Sequence, residues 1–237
     1  MKKLELPPRL RAIAEQVPVG TKFADIGTDH AYLPIWLLRQ GRISSAIATD
    51  LREGPLSRGR QAAKDWNVAP RISFRCCNGL EGLGQGEMDT IVIAGMGGET
   101  IAAILDGVEW SRSPGLTYLL QPMSSIPDLR DWLQQNGFCI NGEKAVTEVG
   151  RYYVILTVRS GIMPPLTPGE LWAGRQNREE NHGERSGYLD DLIARLERAI
   201  TGMEQAVSAC HLHQLEQMRE TLRELYQIRE EWLSWQR

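Results

Sequence analysis

Two spacings of apolar residues alternate along this chain. Short runs that read as strands occur at Phe23-Ala24-Asp25-Ile26, Ile43 to Thr49, Arg71 to Cys77, Asp89 to Ala94 and Leu116 to Gln121. Between them, apolar residues return every three or four positions, which is the helical period. Such stretches run from Tyr32 to Gln40, closed by Gly41, from Pro55 to Asn67, from Thr100 to Leu105, and from Ile126 to Asn136, stopped by Gly137. An amphipathic helix precedes the first strand over Leu4 to Val17. Pro7 and Pro8 stand at its start, Leu10, Ile13, Ala14 and Val17 share one face, and Arg9 and Arg11 fall on the other. Strands alternating with helices predict βαβ units and a parallel sheet, because parallel neighbours need a crossover that a helix supplies.

After Gly137 the pattern changes twice. Phe138 to Val146 and Arg151 to Arg159 read as strands separated only by Thr147 to Gly150, too short for a crossover, so they predict an antiparallel hairpin at one sheet edge. Five βα units finished by a hairpin is the layout of the Rossmann-like, class I methyltransferase form of the doubly wound α/β fold. The segment 161–169, GIMPPLTPG, holds three prolines and two glycines and reads as a linker. Glu170 to Arg185 is polar and less periodic. Beyond it, Leu189, Leu192, Leu196, Ala199, Met203 and Val207 form one helical stripe, and Leu215, Met218, Leu222, Leu225, Trp232 and Trp235 form a second. With Ser208 to His211 as the turn, they predict an antiparallel helical hairpin with a coiled-coil seam. The expected organisation is a catalytic unit at 1–160, a linker at 161–169 and a helical coiled-coil unit at 170–237.

Composition adds limits. Hydrophobic residues make up 42% of 237, enough for a substantial core. The four cysteines, Cys76, Cys77, Cys139 and Cys210, form no CxxC pair, which argues for a reducing compartment and against a zinc ribbon. Cys76 and Cys77 are expected as buried core residues, and His182, His211 and His213, which lack ligand spacing, as surface residues. No apolar run reaches the roughly 18 residues of a membrane span, and Met-Lys-Lys is followed by Leu-Glu-Leu-Pro-Pro rather than by a secretory segment. The expectation is a cytoplasmic protein without a metal, compatible with a monomer. Net charge is −3, but residues 1–75 carry 13 Lys/Arg against 7 Asp/Glu, whereas the rest carries 14 against 23. A basic N-terminal part on an acidic chain suits a phosphate-facing surface, although it suits a solvated face as well.

The strand ends carry the chemistry. An open parallel sheet binds its ligand across the carboxyl ends of its strands, where strand order reverses. Those ends hold Asp25 and Gly27, Asp50 with Leu51, Asn78 with Gly79, and Gly95-Met96-Gly97. Each is polar or permits close backbone approach. Asp50 can accept both hydroxyls of a ribose, Asn78 can reach an adenine edge, and Gly95 to Gly97 leave room for a reacting atom. Two cofactors share this geometry, NAD and S-adenosylmethionine. A dinucleotide fingerprint needs G-x-G-x-x-G, yet after Gly27 the chain has Asp29 and Tyr32 in place of the other glycines. A carboxylate there would repel a pyrophosphate but suits a sulfonium or ammonium, and Asp25 can bind the methionine ammonium. His30, beside them, can line the cofactor pocket or cap the following helix.

DIGTDHAYLP from Asp25, VIAGMGGE from Val92, NGLE from Asn78 and LQPM from Leu120 resemble the bacterial tRNA (adenine-N1)-methyltransferases that modify adenine 22, the TrmK family. The similarity runs through roughly residues 4–160. The family's second unit opens on a Phe-Gly-Pro segment, where this chain has PLTPGELWAGRQ. The resemblance implies S-adenosyl-L-methionine as cofactor, tRNA as partner, a C-terminal coiled coil, and methyl transfer to N1 of an adenine. N1 methylation leaves a ring cation, for which Asp29 is the candidate catalytic carboxylate; an N-cap of the following helix is its other reading. Arg9, Arg11, Arg58 and Arg60 are the candidate RNA-binding residues. No Asn/Asp-Pro-Pro-Tyr/Phe follows the fourth strand, so the clamp of exocyclic-amine methylation is missing. Three alternatives remain at this stage: a methyltransferase for a small molecule or protein, a non-catalytic cofactor-binding module that holds a partner by its coiled coil, and an NAD-linked oxidoreductase.

Overall fold

The computed structural model describes residues 4–178, 183–205 and 212–236. Helix α1 (Pro8–Gln16) precedes β1 (Phe23–Ile26), α2 (Tyr32–Arg39), β2 (Ala46–Asp50), α3 (Glu53–Asp65), β3 (Ile72–Cys76), β4 (Thr90–Met96), α4 (Gly98–Asp106), β5 (Thr117–Pro122) and α5 (Ile126–Gln135). The long strands β6 (Phe138–Glu148) and β7 (Arg151–Ser160) follow, then α6 (Pro168–Ala173), α7 (Arg185–Gln205) and α8 (Leu212–Trp235). The strands form one sheet in the order β3-β2-β1-β4-β5-β7-β6. The first five are parallel, and β7 is antiparallel to both β5 and β6. The chain moves outward from β1 to β3 and then returns to β4, so the order reverses between β1 and β4. That is where a doubly wound sheet opens a crevice beyond its strand ends.

Residue alternation explains why both sheet faces are covered. Phe23, Val92, Leu119 and Ile155 join Ala12, Ile13, Leu33, Leu37 and Ala63 in one apolar cluster under α1, α2 and α3. Their neighbours Ala24, Ile91, Ile93, Tyr118, Leu120 and Leu156 point the other way and join Ile101, Leu105, Leu129 and Leu133 under α4 and α5. That second cluster continues without a break into Tyr188, Leu189, Leu192 and Leu196 of α7 and Leu215, Leu225 and Trp232 of α8. The last two helices are antiparallel, since Arg219 meets Glu204 at 2.5 Å, Arg229 meets Asp190 at 2.5 Å, and Trp232 Nε1 donates to Ser186 Oγ at 3.1 Å.

Two arginines fasten this helical region to the sheet. Arg130 on α5 is fully buried and forks onto Glu143 of β6, with Nη2 to Oε2 at 2.5 Å and Nε to Oε1 at 3.0 Å. Its Nη1 donates to the carbonyls of Leu171 and Trp172 at 2.8 and 2.9 Å, and Arg185 donates to those of Ala173 and Gly174. The carbonyls ending α6 thereby gain the partners that a helix terminus lacks. At the other end Thr167 and Glu170 form a capping box, so the helix starts at Pro168, inside the proline-rich segment 161–169.

Several expectations shift. β2 begins at Ala46; Ile43 is buried but precedes the ladder. Helix α3 opens at Glu53 and α4 at Gly98, each two residues earlier than the apolar spacing predicts. Cys76 is exposed and Cys77 half-buried rather than core, because β3 is an edge strand with one flank uncovered. Trp232 is buried and meets Trp235 edge-on at 6.1 Å, as seam packing predicts. His213 is exposed. The predicted turn at Ser208 to His211, together with Val207, Cys210, His182 and His211, lies outside the described residues. Among those described, no helix is long and apolar enough to cross a membrane, and no cluster of His, Cys, Asp or Glu is placed to hold a metal.

Candidate active site

The turn after β1 is tied to β2. The N–H groups of Gly27 and Thr28 both donate to the Thr49 carbonyl, at 2.8 and 2.9 Å. Gly27 has φ +72°, and a Cβ there would overlap the methyl of Met96, which lies across the turn from the end of β4. Glycine is therefore required on two counts, conformation and space. Asp29 and Ala31 are also left-handed, at φ +45° and +56°. The N-cap of α2 is Ala31, not Asp29. The Asp29 carboxylate turns away to Arg58 Nη2 on α3 at 2.6 Å and lies 3.4 Å from His30.

Asp25 is buried beneath this turn and accepts the Thr28 hydroxyl at 2.5 Å. Burial pushes its carboxyl up to about 6; the Thr28 bond opposes that rise and the Asp50 carboxylate adds to it. The folded chain therefore holds a proton here that the unfolded chain releases at about 3.8. Between those values stability falls as pH rises, and above about 6 the cost of the buried charge is complete. Asp25→Asn is expected to melt with the native protein at pH 4 and to become the more stable of the two as pH passes 6, read from paired thermal melts across that range. A curve difference independent of pH would assign the burial another role.

The remaining strand ends converge on one cavity of about 630 Å³. Asp50 and Leu51 line it from the end of β2, Asn78 and Gly79 from the loop after β3, and Gly95 and Met96 from β4, with Gly27, Asp29 and Arg58 also on the wall. The Asp50 carboxylate accepts the Arg52 N–H at 3.0 Å, and Asn78 Nδ2 donates to Glu81 at 2.7 Å. Gly79 sits at φ +51° with Ile104 of α4 against it, 2.9 Å from where a Cβ would stand. At Gly95 (φ +78°) the ladder to β5 breaks register between Ala94 and Met96, a bulge that re-aims the strand end into the cavity.

Sequence reasoning thus located nine of the 21 residues that line the cavity. Asp25 is buried beneath the Gly27 turn and is not on the wall; neither is His30, which stacks on Tyr32 at 5.2 Å, nor Gly97, the N-cap of α4. Cys77, Glu81, Thr100 and Ile104 line the cavity unannounced; the last two stand four residues apart on α4, beside its buried stripe of Ile101, Ala102 and Leu105. Of the four basic residues, Arg11 is exposed and pairs with Glu15, while Arg60 pairs with Glu53 and covers the Phe74 ring. Arg9 departs from its expected outward position. It is half-buried, bonded to Gln121 and 5.6 Å above the Tyr153 ring.

The cavity fits S-adenosylmethionine. Glycines with positive φ stand at three strand ends of its wall, Asp50 adds a carboxylate and Asn78 an amide, a lining suited to a nucleoside. A methyltransferase domain family matches residues 6–156. The tRNA (adenine(22)-N(1))-methyltransferase of Bacillus subtilis is 35% identical over 161 residues, 68% of each chain. Its crystal structure aligns with a TM-score of 0.76 at 28% identity, covering 96% of this chain and 97% of that one. Streptococcus pneumoniae Sp1610 aligns with a TM-score of 0.83 at 30% identity, over 95% of this chain and 100% of that one. Sp1610 has also been solved in complex with S-adenosyl-L-methionine; that structure gives 0.76 at 32% identity over 90% and 98%. The strand-end cavity and the likeness along the whole chain converge: this protein belongs to the TrmK family of tRNA (adenine(22)-N1)-methyltransferases.

Proposed function

We propose that this chain transfers a methyl group from S-adenosylmethionine to N1 of adenine 22 in tRNA, and that it acts in the cytoplasm, where tRNA is matured. The observation that carries the reading is the cavity at the reversal of strand order, walled by Asp50, Asn78 and three glycine-bearing turns. In it, Asp50 orients the cofactor's ribose and Asn78 its adenine, while Asp25, beneath the Gly27 turn, supports that turn through Thr28. When bound, the cofactor supplies a methyl carbon open to displacement. N1 of adenine has its lone pair in the ring plane, so an in-line approach needs little covalent help and the chain acts mainly by positioning.

The target edge is the one used in base pairing, so the base must first leave its stack. Gly95 and the bulge at Ala94 to Met96 form the β4 side of the cavity, where we place the base. Methylation puts a positive charge on the ring, and Asp29, held by Arg58 at 2.6 Å on the wall, is the carboxylate we assign to stabilise it or to take the N6 proton. Arg9, Arg11, Arg58 and Arg60 form the proposed RNA-facing side.

Incubation with methyl-labelled cofactor and two unmodified tRNA transcripts, one with adenine and one with guanine at position 22, tests the reading. Label is expected in the first and absent from the second. A protein that binds the cofactor but labels neither would instead be a methyltransferase for another class of acceptor or a non-catalytic module.

A further inference from the structure

The first turn of α1 reaches the rim of the cavity. The Arg9 N–H donates to the Glu148 carboxylate at 2.9 Å, which ties the helix start to the end of β6. The side chain runs across the ends of β4 and β5. Nη1 donates to Gln121 Oε1 at 2.5 Å, and a Cβ built on Gly95 would lie 3.5 Å from it. Gln121 is completely buried near the end of β5, and its amide is fully engaged. Oε1 also accepts the Gly95 N–H at 3.1 Å, and Nε2 donates to the Pro122 carbonyl at 2.8 Å. One buried amide thus fixes the Gly95 bulge and the Arg9 guanidinium relative to each other.

Charge separates Arg9 from the other three basic residues. Arg11, Arg58 and Arg60 each have a carboxylate partner. Among the described residues the Arg9 guanidinium has none, it makes a single hydrogen bond, and its Nε is buried without a partner. A half-buried guanidinium, flat over an aromatic ring and short of acceptors, matches an anion that arrives with the substrate. A fixed fork beside Gly95 suits phosphodiester oxygens.

We propose that Arg9 grips a phosphodiester flanking the target adenine and so presses that base to the Gly95 side of the cavity, with Gln121 as its positioning residue. The inference rests on the tRNA-methyltransferase reading. It predicts a defect in the bound complex rather than a general loss of RNA affinity. For Arg9→Ala, cofactor affinity by calorimetry and melting temperature stay at native values, while the single-turnover rate at saturating tRNA falls at least ~10-fold through misplacement of the base. Arg9→Lys recovers part of that rate, keeping the charge but not the fork. Arg11→Ala, on the same helix, changes only tRNA affinity and its salt dependence.

A tRNA carrying an uncharged methylphosphonate on the 5′ or the 3′ side of adenine 22 completes the test. One of the two substitutions is expected to slow the native protein as Arg9→Ala does, and to add nothing in that variant. A native saturating rate for Arg9→Ala, a drop in its melting temperature or cofactor affinity that accounts for the loss, or penalties that multiply would each overturn the assignment. If the native protein labels no tRNA at all, the parent reading has failed instead.

Discussion

Asp50→Ala is expected to weaken S-adenosylmethionine binding by about 100-fold, the loss of two hydrogen bonds to a charged acceptor at ~1.5 kcal/mol or somewhat less each. Asp50 closes β2, lines the cavity and has one oxygen on the Arg52 N–H. Its removal deletes no apolar packing, so the melting temperature should stay near the native value while calorimetry registers the loss. Asp50→Asn keeps one acceptor and is expected to fall between the two. A second effect follows from electrostatics. Asp50 is one reason the Asp25 carboxyl sits high, so without it the pH window in which Asp25 costs stability should move down. Native cofactor affinity in Asp50→Ala would remove the ribose assignment and with it the orientation of the ligand.

Arg130→Ala carries the largest expected stability loss, about 3–5 kcal/mol, the usual effect of stranding one member of a buried ion pair. Here the stranded groups are the Glu143 carboxylate, whose side chain is 9% exposed, and the carbonyls of Leu171 and Trp172. Against a typical total of ~5–15 kcal/mol this threatens folding at growth temperature. Urea unfolding of the variant and of Arg130→Met with Glu143→Met separates the causes. If the uncompensated carboxylate dominates, the double variant recovers most of the loss; if the unpaired carbonyls ending α6 dominate, it does not. A midpoint unchanged in Arg130→Ala would mean that the helical region is held by its apolar contacts alone.

The parts of this protein that were readable in its sequence are those set by local periodicity and by strand ends. Ile91 and Ile93 face one cluster and Val92 the other, the alternation that a doubly covered strand requires. The short loop read at Thr147 to Gly150 admits only a hairpin, and the structure narrows its turn to Val149 and Gly150; Asp50, Asn78 and Gly95 line the cavity because a parallel sheet brings successive strand ends together. Long-range pairings left no such trace. A helical projection of α1 sorts apolar from polar residues and so turned Arg9 outward; nothing local announces that Gln121, 112 positions later, will hold it. Arg130 and Glu143 likewise carry no local mark of the buried pair they form. Ile43 was placed in β2 because burial and strand pairing look alike in a sequence, and Asp29 could be read as a cap because the left-handed Ala31 that displaces it has no residue signature.

The apolar interior that runs unbroken from the β-sheet into α7 and α8, with the Arg130 clasp beside it, has a consequence for choosing among RNAs. The helical arm cannot swing freely, so its outer surface stands at a set distance from the cavity. A folded RNA that touched both would be gauged like an object between the jaws of a caliper, so that its dimensions, and not only its bases, would decide whether an adenine reaches the methyl donor.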